Sequence, residues 1–142
     1  MSNDIDDDVT FSEYTFSEAE LNKIEEVLQK DLIKNGVHSV LLIDMAGNII
    51  VNADNGKCDH DVYSLAALAS ANFAAVDTMA KIVGEDEFSL LFHKGEQESI
   101  HFSKVQSEFL LISIFGKSIS LGLLRLKVAE AIEKIKGVCE KR

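Results

Sequence analysis

The most distinctive pattern in this chain is a run of apolar and small residues over 64–84. One set follows the i, i+3, i+4 spacing of a core-facing helical stripe: Leu65, Leu68, Ala69, Asn72, Val76, Met79 and Val83. A second stripe, of short side chains, lies on another face: Ala67, Ala71, Ala74 and Thr78. A helix that covers one sheet needs only one apolar face, yet the first charges here are Asp77 and Lys81. The pattern therefore predicts a helix that packs on its own sheet and also contacts a second molecule.

Two more helices are predicted, one on each side of this segment. The first begins at Ser17, which forms a capping box with Glu20, and it ends at Gly36. Its apolar face comprises Leu21, Ile24, Val27 or Leu28, and Leu32. The last helix is predicted to end near Gly137, and its buried face comprises Leu121, Leu124, Val128, Ile132 and Ile135. Asp59 is the predicted N-cap of the central helix, and Gly84 its end.

Five short apolar or alternating runs predict β-strands, at 40–44, 49–53, 88–93, 99–104 and 109–115. The first two are almost continuously hydrophobic, which predicts central strands that are covered on both faces. The order is then α-β-β-α-β-β-β-α. A five-stranded antiparallel sheet with packed helices, of the α+β class, is the natural closure.

Composition and charge narrow the function classes. The chain has 142 residues, 46% hydrophobic residues and a formal charge of −10, which is typical of one acidic globular domain. Such a charge argues against binding to nucleic acid or to an anionic membrane surface. We expect residues 1–15 to be an acidic, disordered lead and residues 16–140 to form the domain. Without a signal-peptide pattern, the two cysteines are expected to be reduced thiols in the cytoplasm.

Gly116-Lys117-Ser118 is the segment that most resembles a catalytic motif, because a GKS between a strand and a helix is part of a phosphate-binding loop. Such a loop also needs a glycine five positions earlier, and that position is Leu111. We therefore expect a turn and helix cap here, and no nucleotide cofactor.

The sequence signals for other catalytic or metal-binding sites are equally weak. Cys58-Asp59-His60-Asp61 groups four metal-capable side chains, but adjacent residues rarely converge on one ion, so a solvated helix entry is favoured and no metal is expected. His93 and His101 flank one predicted hairpin and could be close, and a structural role is favoured for both. Cys139 is expected to be inert, and no catalytic triad can be assembled, so the sequence does not indicate an enzyme.

The chain resembles the Roadblock/LC7 domain family, and in particular its bacterial MglB-like branch. The resemblance is carried by four segments: VLLIDMAGNII (40–50), SLAALASANFAAVDTMAKIVGEDEF (64–88), FHKGEQESIHF (92–102) and SLGLLRL (120–126). The four segments and their connections span residues 40–126 of the 142. The resemblance implies the profilin-like Roadblock/LC7 fold and a homodimer that pairs the long helices and joins the sheets. It also implies a partner, a Ras-like small GTPase of the MglA type, whose GTP hydrolysis the protein stimulates.

For the dimer or partner interface we select Ala67, Ser70, Ala71, Ala74 and Thr78, which either contact could use. The only arginines are Arg125, expected to pack or pair at the flank of the domain, and Arg142 at the terminus. Neither suits an arginine finger, so stimulation is expected to act on the GTPase's own switch loops. Two alternatives stay open. One is a Roadblock-type adaptor that docks a GTPase or motor complex without altering hydrolysis. The other is an enzyme or metal protein built on Cys58, His60 or the GKS turn.

Overall fold

The computed structural model describes residues 8–11, 14–88 and 91–140 of the chain. It contains seven strands and three α-helices in the described residues, with one short 3-10 turn at Ile33–Asn35. The elements in chain order are β1 (Asp8–Phe11), β2 (Tyr14–Ser17), α1 (Glu18–Asp31), β3 (Val37–Asp44), β4 (Ile49–Asp54), α2 (Val62–Ile82), β5 (Leu91–Lys94), β6 (Ser99–Val105), β7 (Phe109–Phe115) and α3 (Leu121–Glu140).

The main sheet is five-stranded and antiparallel, with the strand order β4-β3-β7-β6-β5. Helices α1 and α3 cover one face, where the larger core cluster includes Ile24, Leu28, Leu111 and Val128. Helix α2 covers the other face, where a smaller cluster includes Leu110. The predicted α+β fold with a five-stranded antiparallel sheet is confirmed.

Two strand predictions need correction. The first two strands were predicted to be central, but only β3 is; β4 lies at the edge of the sheet, and Asn52 on it is exposed. The apolar run in β4 arises because α1 packs against this edge strand, so hydrophobicity did not report position in the sheet. The fourth strand was predicted over 88–93. Strand β5 covers Leu91–Lys94, residue 88 precedes it, and residues 89–90 lie outside the described residues.

Strands β1 and β2 form a separate hairpin in which Val9 pairs with Phe16 and Thr10 with Thr15. The sequence predicts an acidic, disordered lead over residues 1–15, whereas the structure has strands at Asp8–Phe11 and Tyr14–Ser17. Residues 1–7 and 12–13 of that lead lie outside the described residues.

The predicted start of α1 is confirmed. The Ser17 hydroxyl accepts a hydrogen bond from the Glu20 N–H at 3.1 Å, and the Glu20 carboxylate accepts one from the Ser17 N–H at 2.9 Å. This reciprocal pair satisfies two of the donors that a helix N-terminus leaves open. Gly36 adopts a φ of 106°, the left-handed conformation expected after the last turn.

Helices α2 and α3 differ from prediction at their ends. The N-cap of α2 is Asp61 and not Asp59, since the Asp61 carboxylate accepts from the Ser64 N–H at 3.1 Å. The Ser64 hydroxyl, together with this backbone interaction, lowers the pKa of Asp61. Helix α3 continues through Gly137 to Glu140, so the expected end at Gly137 is wrong. A single glycine weakens a helix by about 1 kcal/mol, too little to stop one that packs on a core.

The turn between β3 and β4 packs against α2. The buried carboxylate of Asp44 accepts hydrogen bonds from the Ala46 N–H, the Asn48 N–H and the Asn48 side-chain amide, all at 2.9–3.0 Å. Gly47, at φ 92°, follows so close to the helix that an added Cβ would lie 3.0 Å from Ser70 Oγ and 3.3 Å from Ala67 Cα. The short side chains of Ala67 and Ser70 therefore serve in part to let α2 pack against the β3–β4 turn of the same chain.

Candidate functional site

Helix α2 turns a face of alanines toward the sheet. Ala66, Ala69 and Ala80 are the buried residues of this helix. The predicted core stripe is wrong at Leu68, which is 69% exposed, and at Met79 and Val83, which are also exposed. It is right at Ala69, which is buried, and at Leu65, which packs against the smaller core cluster. Alanine allows the helix to approach the sheet closely, with Leu65 and Phe73 packed at the sides of this contact. Leu68 and Met79 lie on the outside.

The outward face of α2 forms an exposed band that we call the outer stripe. Its members are Ser64, Ala67, Leu68, Ala71, Ala74, Ala75, Thr78, Met79 and Ile82, all of which are exposed. Of the predicted interface residues, the structure brings Ala67, Ala71, Ala74 and Thr78 together on this stripe. Ser70 is half-buried beside it, against the turn at Gly47.

The outer stripe is more apolar than its sequence suggests. The Thr78 hydroxyl donates to the Ala74 carbonyl at 3.0 Å, and the Ser70 hydroxyl donates to the Ala67 carbonyl at 2.9 Å. Both hydroxyls are thus satisfied within the helix. Leu68 and Ile82, which are 69% and 78% exposed, extend the stripe with large hydrophobic side chains. The outer stripe is therefore a continuous, largely apolar band on the exposed side of α2.

The GKS segment is a turn and helix cap, as predicted. The Ser118 hydroxyl donates to the Gly36 carbonyl at 2.7 Å, which ties the turn to the start of β3. The Ser120 hydroxyl accepts from the Leu123 N–H at 3.2 Å and caps α3. Leu111 is buried within β7.

The residues before α2 also make local contacts. The Cys58 thiol donates to the His38 carbonyl at 3.4 Å, and burial, followed by the nearby charges of Asp54, Glu98 and Asp59, raises its pKa. A high thiol pKa opposes nucleophilic reactivity. In the described part of the chain, no three histidine, cysteine or acidic side chains gather as a metal site. Cys139 is buried in the core.

His93 and His101 lie on opposite faces of the sheet, so the expectation that they could be close is wrong. In the β5–β6 register His93 pairs with Ile100, and His101 pairs with Phe92. His93 packs edge-on against Phe102 on the α2 side, with ring centroids 5.6 Å apart. His101 lies on the α3 side and is only 5% exposed. Burial, with a further contribution from the Arg125 charge, lowers the pKa of His101 to about 4.

Stability should therefore decrease as the pH falls, because of His101. The unfolded side chain takes up a proton below its ordinary pKa of 6.5, whereas the folded one stays neutral down to about 4. The stabilisation is complete above the unfolded pKa and is lost as the pH falls between these two values, by about 2–3 kcal/mol at pH 4.5. Urea unfolding at about pH 7 and about pH 4.5 measures it. His101→Leu should reduce the difference by that amount. His60 is exposed, so His60→Leu is the control and should keep the full difference in unfolding free energy between the two pH values. If His101→Leu and His60→Leu show the same difference, the assignment to His101 is wrong.

Arg125 lies on α3, on the opposite face of the sheet from α2 and its outer stripe. Arg125 was expected to pack or pair at the flank of the domain, and among the described ion pairs none involves it. Its chain neighbour Leu126 is 56% exposed. Arg142 lies outside the described residues.

Comparison with known proteins now assigns the class. The Roadblock/LC7 domain model matches residues 23–115, and the chain belongs to the Roadblock/LC7 domain family. It is similar to MglB from Myxococcus xanthus, with 34% identity over 94% of this chain and 95% of that one and a TM-score of 0.77. It is also similar to the gliding protein MglB from Thermus thermophilus, with 25% identity, 94% and 100% coverage and a TM-score of 0.83.

Two further likenesses bear on assembly and fold. A structure described as MglB with a tetrameric arrangement matches with 25% identity over 93% of this chain and 98% of that one, at a TM-score of 0.83. Profilin II of Acanthamoeba castellanii shares the fold alone, at 15% identity over 80% and 96% of the two chains and a TM-score of 0.56. The expected profilin-like, Roadblock/LC7 fold with MglB-like relatives is therefore confirmed. Among the described helices, none has the length and apolar character needed to cross a membrane.

Proposed function

We propose that this protein is a cytoplasmic homodimeric regulator that binds a Ras-like small GTPase of the MglA type and stimulates its GTP hydrolysis. The outer stripe of α2 is the observation that carries the proposal. It leaves Leu68, Met79 and Ile82 exposed on a helix with no charged residue between Asp61 and Asp77. In a single chain this apolar surface would stay exposed to water. Its burial against a partner would stabilise the complex by about 25 cal/mol per Å² of apolar surface.

The homodimer and the GTPase contact share this surface in the proposal. Two copies of α2 that pack side by side bring their short residues, including Ala71 and Ala74, close together. The two helices then form one combined surface, the platform, to which the GTPase binds. The similarity to MglB, one structure of which is described with a tetrameric arrangement, supports self-association. Ala67 and Ser70 then anchor the platform to the β3–β4 turn beneath it.

Stimulation is proposed to occur without an arginine finger. A finger inserts its guanidinium beside the γ-phosphate, where negative charge develops in the transition state. Arg125 lies on α3, on the opposite face of the sheet from α2, and the outer stripe contains no arginine. The dimer would instead bind the hydrolytic arrangement of the GTPase's switch loops more tightly than other arrangements, which shifts the population toward it.

The proposal is tested by single-turnover GTP hydrolysis by a Ras-like GTPase encoded in the same genome, with and without this protein, alongside sedimentation of the mixture. Faster hydrolysis together with a complex supports the proposal. A complex with unchanged hydrolysis would replace it with the adaptor role, and no complex with any such GTPase would remove both.

Arg125→Ala should leave the stimulated hydrolysis rate within about threefold of the original. A finger contributes on the order of a thousandfold or more, so the two mechanisms are well separated. Lys127→Ala, on the same helix and partly exposed, is the matched control for loss of a cation. A thousandfold loss with Arg125→Ala alone, in a variant that still forms the complex, would establish a finger and overturn this mechanism.

A further inference from the structure

Exposed apolar side chains are concentrated at the C-terminal end of α2. Of the eight large hydrophobic side chains that are exposed in the described residues, four lie within residues 79–88: Met79, Ile82, Val83 and Phe88. The first two belong to the outer stripe, and the other two extend it beyond the last residue of α2. Two acids, Glu85 and Asp86, follow in the same segment and are also exposed. We call these six residues the end patch.

A well-defined turn places the two acids at the end of the helix. The Glu85 N–H donates to the Ala80 carbonyl at 2.8 Å, and the Gly84 N–H donates to the Lys81 carbonyl at 3.1 Å. These two bonds, with Gly84 at a φ of 89°, form the Schellman motif that ends many helices. The C-terminus of a helix carries a partial negative charge, so carboxylates beside it are unfavourable for the folded chain. The stability of the chain therefore does not explain the position of Glu85 and Asp86.

Neither acid is neutralised within the described part of the chain. Lys81 and Lys104 pair with other carboxylates, at 3.0 Å and 3.3 Å. None of the described ion pairs involves Glu85 or Asp86. The end patch therefore presents two carboxylates without a cation beside exposed apolar side chains.

The negative charge of the chain is also concentrated on this side of the sheet. Residues 52–88, which include α2, contain seven acids and two lysines. Residues 116–140, which include α3 on the opposite face, contain three acids and five cations. A second copy would bring the same acidic side, and the N-terminal end of its α2, with Asp59 and Asp61 near Lys57 in sequence, is net negative too. The occupant that complements the end patch is therefore a different protein with basic side chains.

We propose that the end patch binds a basic and apolar surface of the GTPase, in which lysine or arginine side chains pair with Glu85 and Asp86 and aliphatic side chains contact Ile82 and Val83. This inference rests on the proposed function, because it names the chemistry of the partner surface that meets this end of the outer stripe. Exposed opposite charges affect the association rate more than the affinity of the final complex, so the end patch should accelerate binding. Salt should reduce this acceleration, because charges more than about 8 Å apart are largely screened at physiological ionic strength.

The test measures the association rate of the full-length protein with a Ras-like GTPase from the same genome that forms a complex with it. Stopped-flow mixing should show association about tenfold faster at about 20 mM NaCl than at about 500 mM NaCl. The double variant Glu85→Lys with Asp86→Lys should slow association at the lower salt about tenfold and remove most of the salt dependence. Its urea midpoint should be unchanged or higher, because cations are favourable at a helix C-terminus, so a slower rate would not arise from unfolding.

Glu25→Lys with Glu26→Lys is the matched control. Both acids are exposed neighbours on α1, which covers the other face of the sheet. The control changes the net charge by the same amount, so an effect of total charge alone would slow association equally in both double variants. Equal association rates in the two double variants, or a rate that does not depend on salt, would overturn this proposal, while the complex itself would still support the proposed function.

Sedimentation of the Glu85→Lys, Asp86→Lys variant by itself separates a second copy from a GTPase as the occupant. We expect its oligomeric state to match that of the original protein. Loss of self-association would assign the end patch to a second copy and overturn the proposal. Absence of a complex with every Ras-like GTPase of the genome would remove the proposed function and this inference together.

Discussion

Ala71→Glu should convert the proposed dimer to single chains and abolish detectable binding to the proposed GTPase partner. Ala71 lies at the middle of the outer stripe, where a longer side chain blocks close approach of a second surface. Its carboxylate would also be buried without a partner, which costs about 3–5 kcal/mol. That energy corresponds to association weakened by about 100-fold or more. Sedimentation at micromolar concentration and a GTPase pull-down measure the two losses.

Ala74→Glu, one turn along the same stripe, should act in the same way. Ala19→Glu is the matched control, because Ala19 is an exposed alanine in the first turn of α1, on the other side of the sheet. It makes the same change in charge and volume, and it should alter neither the oligomeric state nor the binding. If Ala71→Glu keeps both the dimer mass and the GTPase affinity, the outer stripe is not the interface.

Asp44→Ala should destabilise the protein by about 3 kcal/mol. Three donors, the Ala46 N–H, the Asn48 N–H and the Asn48 amide, lose their acceptor in a single substitution. A buried donor left unpaired costs about 1–3 kcal/mol, and the exposed turn residues recover part of that from water. Urea unfolding at fixed protein concentration measures the change through the midpoint, with the slope showing whether unfolding stays two-state.

Asp54→Ala is the control for this prediction. Asp54 ends β4 as Asp44 ends β3, but it accepts one described backbone hydrogen bond with its side chain, from the exposed Gly56 N–H. We expect a loss of about 1 kcal/mol or less. Equal losses of unfolding free energy in both variants would show that the three hydrogen bonds to Asp44 contribute no more than the single one to Asp54. In that case the β3–β4 turn would not depend on it to hold Gly47 against α2.

Local signals were sufficient for most of the elements. Ser17 and Glu20 predicted the start of α1 because a capping box is a short-range arrangement of donors and acceptors. The buried strand β7 followed from an apolar run over 109–115. The order of strands and helices then sufficed for the α+β class, since antiparallel strands joined by short turns close into one sheet.

The functional surface was predicted only in part. The sequence showed that α2 is apolar around most of its circumference, and this alone implied a second contact. It could not show which stripe is the inner one, because periodicity is equal on both faces when nearly every residue is apolar. The structure buries Ala69, as predicted, and also Ala66, which belonged to neither stripe, and it leaves Leu68 outside although the core stripe was predicted to include it.

By itself, then, the sequence determined the three helices and most strands of the main sheet, the acidic character of the protein and the two-sided nature of its central helix, because each depends on residues close together in the chain. Tertiary packing decided the rest. It moved β4 to an edge, set His93 and His101 on opposite faces of the sheet, and left Arg125 without a carboxylate among the described ion pairs. These outcomes depend on strand register and on distances between segments far apart in sequence, and no local pattern encodes them.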